Sequence, residues 1–181
     1  MRGTRRKGGR AAAVGVVVLG VLAGFGGVGQ ADAAGRRGPV VTHPGSVPFE
    51  YAAGDVCSFP ARAEFPVSDL TVKTWSDAEG NPRYAVESGA LVLRATNLRT
   101  GKSVDRDVSG TAVMRYAPGR PGTFVMSGYG WATGFHGGDR PAHRWIVARD
   151  HMSVLFGENG RNTKRLLALS GRYEDLCRTL A

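Results

Sequence analysis

Hydrophobic and polar residues alternate along most of the chain after residue 48, which is the pattern of half-buried β-strands. Between Cys57 and Phe65, apolar side chains occupy most alternate positions, and polar ones such as Arg62 and Glu64 stand between them. Pro60 removes one backbone donor from this segment, which favours an edge strand or a bulge. Further strands are expected at residues 70–75, 83–87, 91–97, 102–108, 111–116, 123–129, 144–148, 152–156 and 164–169.

Short polar turns separate these segments. The tightest turn, Leu98–Gly101, joins residues 91–97 and 102–108 into a hairpin. From Tyr173 to Leu180 the apolar residues recur at helical spacing, which predicts a short C-terminal helix or a single helical turn. About 8 to 10 short strands without a βαβ pattern predict a mostly β fold. We expect a single antiparallel β-barrel, with a β-sandwich as the alternative.

The first 33 residues have the composition of a cleavable export signal. Five basic residues precede an apolar run from Ala11 to about Val28, and Ala31-Asp32-Ala33 supplies the small residues of a cleavage site. We therefore expect a signal peptide over residues 1–33 and a secreted protein. Glycines interrupt the apolar run, and its strongly apolar part is shorter than the ~20 residues of a membrane span, so no stable membrane anchor is expected.

Removal of residues 1–33 from the 181-residue chain leaves 148 residues, the length of one domain. Residues 34–48 are rich in glycine and proline and are expected to be a flexible leader, followed by a single β-rich domain over residues 49–181. Nineteen basic and fourteen acidic residues remain, a net charge of +5. They are intermixed along the chain, which argues against nucleic-acid binding but is compatible with loose adsorption to acidic cell-envelope polymers.

The two cysteines, Cys57 and Cys177, stand near the two ends of the predicted domain. An exported protein reaches an oxidising compartment, so a disulfide between them is expected. No CxxC spacing is present that would favour a metal-binding or redox-active thiol pair.

Three segments carry a family resemblance: Cys-Ser-Phe-Pro at 57–60, Ala-Thr-Asn-Leu-Arg-Thr-Gly-Lys-Ser-Val at 95–104, and the Cys-X-X-Leu ending at 177–180. Together they resemble a group of uncharacterised small secreted actinobacterial β-proteins. The resemblance implies a signal peptide, two terminal cysteines and a β-rich body. It implies no catalytic residue.

The longest predicted break between strands, Gly128–His143, is the candidate binding region because glycines and aromatic residues concentrate there. Glycine lets a ligand approach the backbone, and aromatic rings offer rigid contact area. The candidate ligand-binding residues are Tyr129, Trp131, Phe135, His136, His143 and Trp145. In the alternative, these aromatic side chains fold back and plug one end of the barrel. This alternative is favoured because the interior of a small barrel is commonly filled by side chains.

No catalytic residue, metal site or cofactor is predicted. His136-Gly137-Gly138 has the form of an oxyanion loop, but Ser127 lacks the flanking glycines of a nucleophile elbow. The loop spacing of His136, Asp139 and His143 is too common to predict a metal site. The expected function is therefore a non-catalytic secreted domain that binds a small apolar ligand or a cell-envelope component. A protein-interaction or inhibitor-like factor is the alternative, and a secreted enzyme of unrecognised type is less favoured.

Overall fold

The computed structural model describes residues 38–158 and 162–181. The predicted signal peptide, residues 1–33, lies outside the described residues, as do residues 34–37 of the predicted leader. The described elements are β1 (Val40–Thr42), β2 (Phe49–Tyr51), β3 (Ala61–Ser76), β4 (Pro82–Asn97), β5 (Ser103–Asp107), β6 (Gly110–Ala117), β7 (Arg120–Tyr129), β8 (Trp131–Phe135), β9 (Arg144–Ala148), β10 (His151–Phe156), β11 (Lys164–Ser170), β12 (Tyr173–Asp175) and α1 (Leu176–Thr179).

The larger of two antiparallel sheets has the order β1-β3-β4-β6-β7-β10-β11, and β2 and β5 pair with further stretches of β3 and β4. The central strands β3 and β4 are 16 residues each, so each holds two partners in succession along one edge. We call β2, β5 and the parts of β3 and β4 that pair with them the short half. The long half comprises β1, β6, β7, β10, β11 and the remainder of β3 and β4.

The two halves meet near Gly89, which pairs with Leu70 on β3 and with Gly110 on β6. Gly89 has a φ of 147°, and a side chain there would collide with the backbone of Asp69. The register of β3 against β4 also shifts between Glu64 and Val67. A glycine and a bulge at this point let one strand pair serve both halves.

The smaller sheet, in the order β12-β9-β8, contributes to both hydrophobic clusters of the fold. Trp145 and Val147 of β9 belong to the first cluster, with side chains from the short half and α1. Ile146 and Ala148 belong to the second, with side chains from β6, β7 and β10. Since neighbouring residues of a strand point to opposite faces, the small sheet is buried on both sides. This explains the continuous apolar sequence of β9.

The mostly β, antiparallel character predicted from the sequence is confirmed, but a closed barrel is not observed. The large sheet ends at β1 and β11, and neither sheet closes on itself among the described residues. Several predicted strands are longer than expected, because residues 61–65 and 70–75 lie in β3, and residues 83–87 and 91–97 lie in β4.

Two local expectations need correction. Residues 57–60 are not part of a strand, since β3 begins after Pro60. Within the predicted flexible leader, Val40–Thr42 forms β1 and pairs with β3. The predicted short C-terminal helix is confirmed over Leu176–Thr179, while the preceding Tyr173–Asp175 pairs with β9 as a strand.

The predicted disulfide between Cys57 and Cys177 is present, with the two Cα atoms 5.2 Å apart. Next to it, the Asn97 side chain donates a hydrogen bond to the Leu180 carbonyl at 2.9 Å. The C-terminal residues are thereby fixed against the turn between β4 and β5. Within residues 38–158 and 162–181, none of the helices has the length and apolar character to span a membrane.

Candidate functional site

The structure divides the six predicted binding residues into buried and exposed groups. Trp131, Phe135 and Trp145 are 7%, 0% and 2% exposed and lie in the hydrophobic clusters. Tyr129 is 55% exposed at the end of β7. His136 is half-buried and His143 is exposed. The six side chains therefore do not form one continuous aromatic surface in this conformation.

The burial of Trp131 and Phe135 follows from a strand that the glycine-rich sequence obscured. Gly130, with a φ of 65°, turns the chain from β7 into β8 at a point where a side chain would collide with Ser109. Residues 131 to 135 then pair with β9 in continuous register. Period-two alternation puts Trp131 and Phe135 on one face of β8, where both enter the second cluster.

The part of the region between β8 and β9 is residues 136–143, which we call the anchored loop. Its turn is held by Asp139, whose carboxylate accepts the backbone N–H of His136 at 2.6 Å. The same carboxylate accepts the backbone N–H of Lys164 at 2.6 Å. Asp139 is 6% exposed, so these two bonds lie out of water.

The backbone of Arg140 continues this attachment to β11. Its N–H donates to the Lys164 carbonyl at 2.9 Å, and its carbonyl accepts the N–H of Leu166 at 2.7 Å. Arg140 and Arg165 form a short parallel bridge. The anchored loop therefore covers part of the free edge of the large sheet, which is one way in which β proteins protect an edge strand.

Beneath the anchored loop, burial and neighbouring groups both act on the pKa values of Lys164 and Asp139. Nζ of Lys164 lies 3.5 Å from the Asp139 carboxylate and 3.3 Å from Nδ1 of His136. Burial lowers the pKa of Lys164, although the charge of Asp139 opposes this effect. Burial acts to raise the pKa of Asp139, but hydrogen bonds from His136 and Lys164 outweigh it and lower the pKa overall.

Tyr51 lies on the buried side of the group formed by His136, Asp139 and Lys164. Its ring meets those of His136 and Trp145 edge-on, with centroids 5.6 and 5.4 Å apart. Burial, followed by the negative charges of Asp139 and Asp55, raises the pKa of the Tyr51 phenol. The phenol therefore stays neutral at physiological pH and is not poised to act as a base.

His143 fixes the far side of the anchored loop. It has a φ of 53°, which is uncommon outside glycine, and its Nδ1 lies 3.2 Å from the Asp55 carbonyl. Its ring packs over Gly137, where an added side chain would meet it at 3.1 Å. A polar contact and a close approach thus hold an exposed residue in an otherwise costly conformation.

The two best-formed concavities among the described residues are small or shallow. One cavity of about 20 Å³, large enough for a single water, is lined by Glu87, Trp131 and neighbouring residues. A shallow open depression of about 220 Å³ lies beside Phe49 and Arg62. Nowhere in the described ranges do three or more His, Cys, Asp or Glu side chains group in a way that could hold a metal ion.

Sequence reasoning missed two members of the site, Tyr51 and Lys164. Both lie far along the chain from the anchored loop and reach it only through tertiary packing. The alternation around Tyr51 indicates burial but not a neighbour, and Lys164 carries no local signal beyond one basic residue at the start of a strand.

Comparison with known proteins gives no further constraint. The chain matches no protein-family model, no curated protein and no solved structure. Its function must therefore be argued from its own geometry.

Proposed function

We propose that this protein is a secreted, non-catalytic binding domain that recognises a cell-envelope component at its surface. The observation that carries the proposal is the filled interior. Trp131, Phe135 and Trp145 occupy the space beside the small sheet, and the cavity near Trp131 is about 20 Å³. A pocket for a drug-sized ligand needs roughly 300 Å³ or more. Binding at an outer surface is therefore favoured over an internal apolar ligand.

Export is supported by the leader composition and by the disulfide. The basic residues, apolar run and Ala31-Asp32-Ala33 site are those of a cleavable signal. A disulfide between Cys57 and Cys177 is typical of proteins outside the reducing cytosol. We also infer a sandwich-like layering of the two sheets, because the small sheet shares hydrophobic clusters with both halves of the large one.

The proposal is tested with protein collected from the culture medium after expression with its own leader. Incubation with washed bacterial envelopes, followed by sedimentation, should remove the protein from solution in a saturable manner. Native mass spectrometry of the same sample should give the mass of the processed chain with one disulfide. An apolar molecule retained in the native spectrum, without envelope binding, would contradict the proposal.

A second candidate is supported by the anchored loop. An exposed loop held by Asp139, Arg140 and His143 is preorganised, which reduces the entropy cost of binding a protein partner. This candidate predicts that Arg140→Ala and His143→Ala abolish capture of a specific extracellular protein while envelope sedimentation persists. Equal capture by the variant and the unaltered protein would exclude the loop as that interface.

A further inference from the structure

The outward face of the long half of the large sheet carries side chains that belong to neither hydrophobic cluster. Strand register aligns side chains across it in rows. One row is Trp75, Tyr84, Arg115, Val125 and Leu155, and the next is Lys73, Val86, Val113, Ser127 and Ser153. The residues between them in sequence, such as Met114 and Met126, supply the second cluster. A third row, Thr71, Ser88 and Thr111, lies beyond the row that begins with Lys73. We call the surface formed by these three rows the outer face.

Side-chain contacts confirm this alignment. The rings of Trp75 and Tyr84 lie 5.3 Å apart, and the Arg115 guanidinium stands over the Tyr84 ring at 5.8 Å. Ser127 and Ser153 share a hydrogen bond of 2.6 Å between their hydroxyl oxygens. Three adjacent strands thus present an indole, a phenol and a guanidinium in one continuous strip.

The charge of the outer face is one-sided. Lys73 and Arg115 are exposed near one end, and hydroxyl groups of Thr71, Ser88 and Thr111 form a third row beyond the lysine row. None of the described residues that make up the three rows is an aspartate or glutamate. Asp69 lies at the bend between the two halves, and Glu158 is paired with Arg165 at 2.8 Å. An anionic ligand would therefore meet cations and hydroxyl donors without facing a carboxylate in the central rows.

We infer that the outer face binds an anionic polymer of phosphodiester-linked polyol or sugar units. This inference rests on the proposed envelope-binding function and names its ligand class. Lys73 and Arg115 attract the phosphates, and the hydroxyls of Ser88 and Thr111 in the third row donate hydrogen bonds to their oxygens. The Trp75–Tyr84 strip provides aromatic surface against which a polyol or sugar ring packs.

The dimensions favour a polymer over a single small anion. The outer face crosses five strands from β3 to β10, about 19 Å at the usual spacing between strands. It is a sheet surface, not a cleft, so one phosphate would touch few groups at once. A chain of several repeats reaches Lys73, Arg115 and the third-row hydroxyls together, so several weak contacts act on one molecule.

The test measures binding of a synthetic glycerol phosphate oligomer to protein from the culture medium, by calorimetry at two salt concentrations. The unaltered protein should bind, and more weakly at high salt. Lys73→Gln/Arg115→Gln should weaken binding about tenfold and reduce the salt dependence, since two phosphate contacts are lost. The control Arg149→Gln/Arg178→Gln removes the same charge from exposed positions away from the outer face and should bind within about twofold of the unaltered protein, because it loses no direct phosphate contact.

A separate variant tests the aromatic strip. Trp75→Leu should weaken binding of the glycerol phosphate oligomer more than binding of inorganic polyphosphate, which has no polyol to pack on the ring. Thermal unfolding of each variant checks that the fold is retained. Equal weakening for the two probes would overturn the role of the aromatic strip.

The remaining outcomes separate this inference from the proposed function. Envelope sedimentation without oligomer binding, or with Lys73→Gln/Arg115→Gln behaving as the unaltered protein, overturns the outer face as the site and leaves envelope binding intact. Loss of envelope sedimentation in the Arg140→Ala/His143→Ala variant alone assigns it to the anchored loop instead. If the unaltered protein binds neither envelopes nor oligomer, the proposed function fails and the inference fails with it.

Discussion

The carboxylate of Asp139 accepts a hydrogen bond of 2.6 Å from the backbone N–H of Lys164, 25 residues further along the chain. The other carboxylate oxygen accepts the N–H of His136, so a single side chain closes the turn of the anchored loop and attaches it to β11. The order of the loop therefore depends on one buried charge.

Asp139→Asn should destabilise the protein by about 2 kcal/mol, because hydrogen bonds to a charged acceptor are worth more than those to an amide. The two carboxylate oxygens of Asp139 each accept one N–H, whereas an asparagine amide has only one accepting oxygen and would point its NH₂ group at the other N–H. Urea unfolding at pH 7 measures the change. Asp105→Asn, which alters an exposed ion pair with Arg94, is the control and should leave the unfolding free energy nearly unchanged, because solvent screens the pair.

The stability effect of Asp139→Asn should also depend on pH. The pKa of Asp139 is lowered in the folded protein, so its stabilisation is present above the ordinary aspartate pKa and is lost as the pH falls through the lowered value. The difference in unfolding free energy between Asp139→Asn and the unaltered protein should shrink below about pH 4. A difference that stays constant into acid would mean that the carboxylate charge is not what anchors the loop.

Glu87→Gln should stabilise the protein at neutral pH. Burial raises the pKa of Glu87, so the folded state disfavours its charged form, and this cost appears as the pH rises through the raised pKa. Below the ordinary glutamate pKa of about 4.3 the carboxyl is protonated in both states, and the advantage of the variant should vanish. Melting temperatures between pH 4 and pH 8 test this, with Glu79→Gln in an exposed turn as the control.

Loss of the disulfide should be the largest single effect on stability. Cys57 and Cys177 are 120 positions apart, and the chain-entropy treatment of such a loop gives roughly 5 kcal/mol as an upper value. Cys57→Ser/Cys177→Ser and the reduced protein should both melt at markedly lower temperature than the oxidised protein. An unchanged melting temperature after verified reduction would show that packing of α1 alone holds the two ends together.

Trp131→Ala should act on folding and not on surface binding. The indole is 7% exposed in the second cluster, and removal of a buried large aromatic side chain costs about 3 to 5 kcal/mol. Tyr129→Ala, two residues away at a position 55% exposed, should change stability by less than about 1 kcal/mol. Similar unfolding free energies for the two variants would mean that Trp131 is not a core residue.

The contrast between Tyr129 and Trp131 shows how far sequence reasoning reached in the candidate site. Both were expected at a ligand-binding surface because they lie in a glycine-rich aromatic segment. Composition does not distinguish a loop from a short strand whose neighbour is supplied elsewhere, and β9 is the neighbour that makes residues 131–135 a strand. Sequence located the region, while the pairing decided which of its side chains are buried.

The sequence alone determined most of the strands and turns, since period-two alternation and glycine-containing turns are local properties of the chain. It also predicted the disulfide between Cys57 and Cys177, because two cysteines allow only one intramolecular pairing. Only the tertiary structure decided that the small sheet is buried on both faces, that Asp139 meets Lys164, and that Trp75, Tyr84 and Arg115 stand in one row. These relationships join residues distant in sequence, and their energy comes from packing and register that no local pattern encodes.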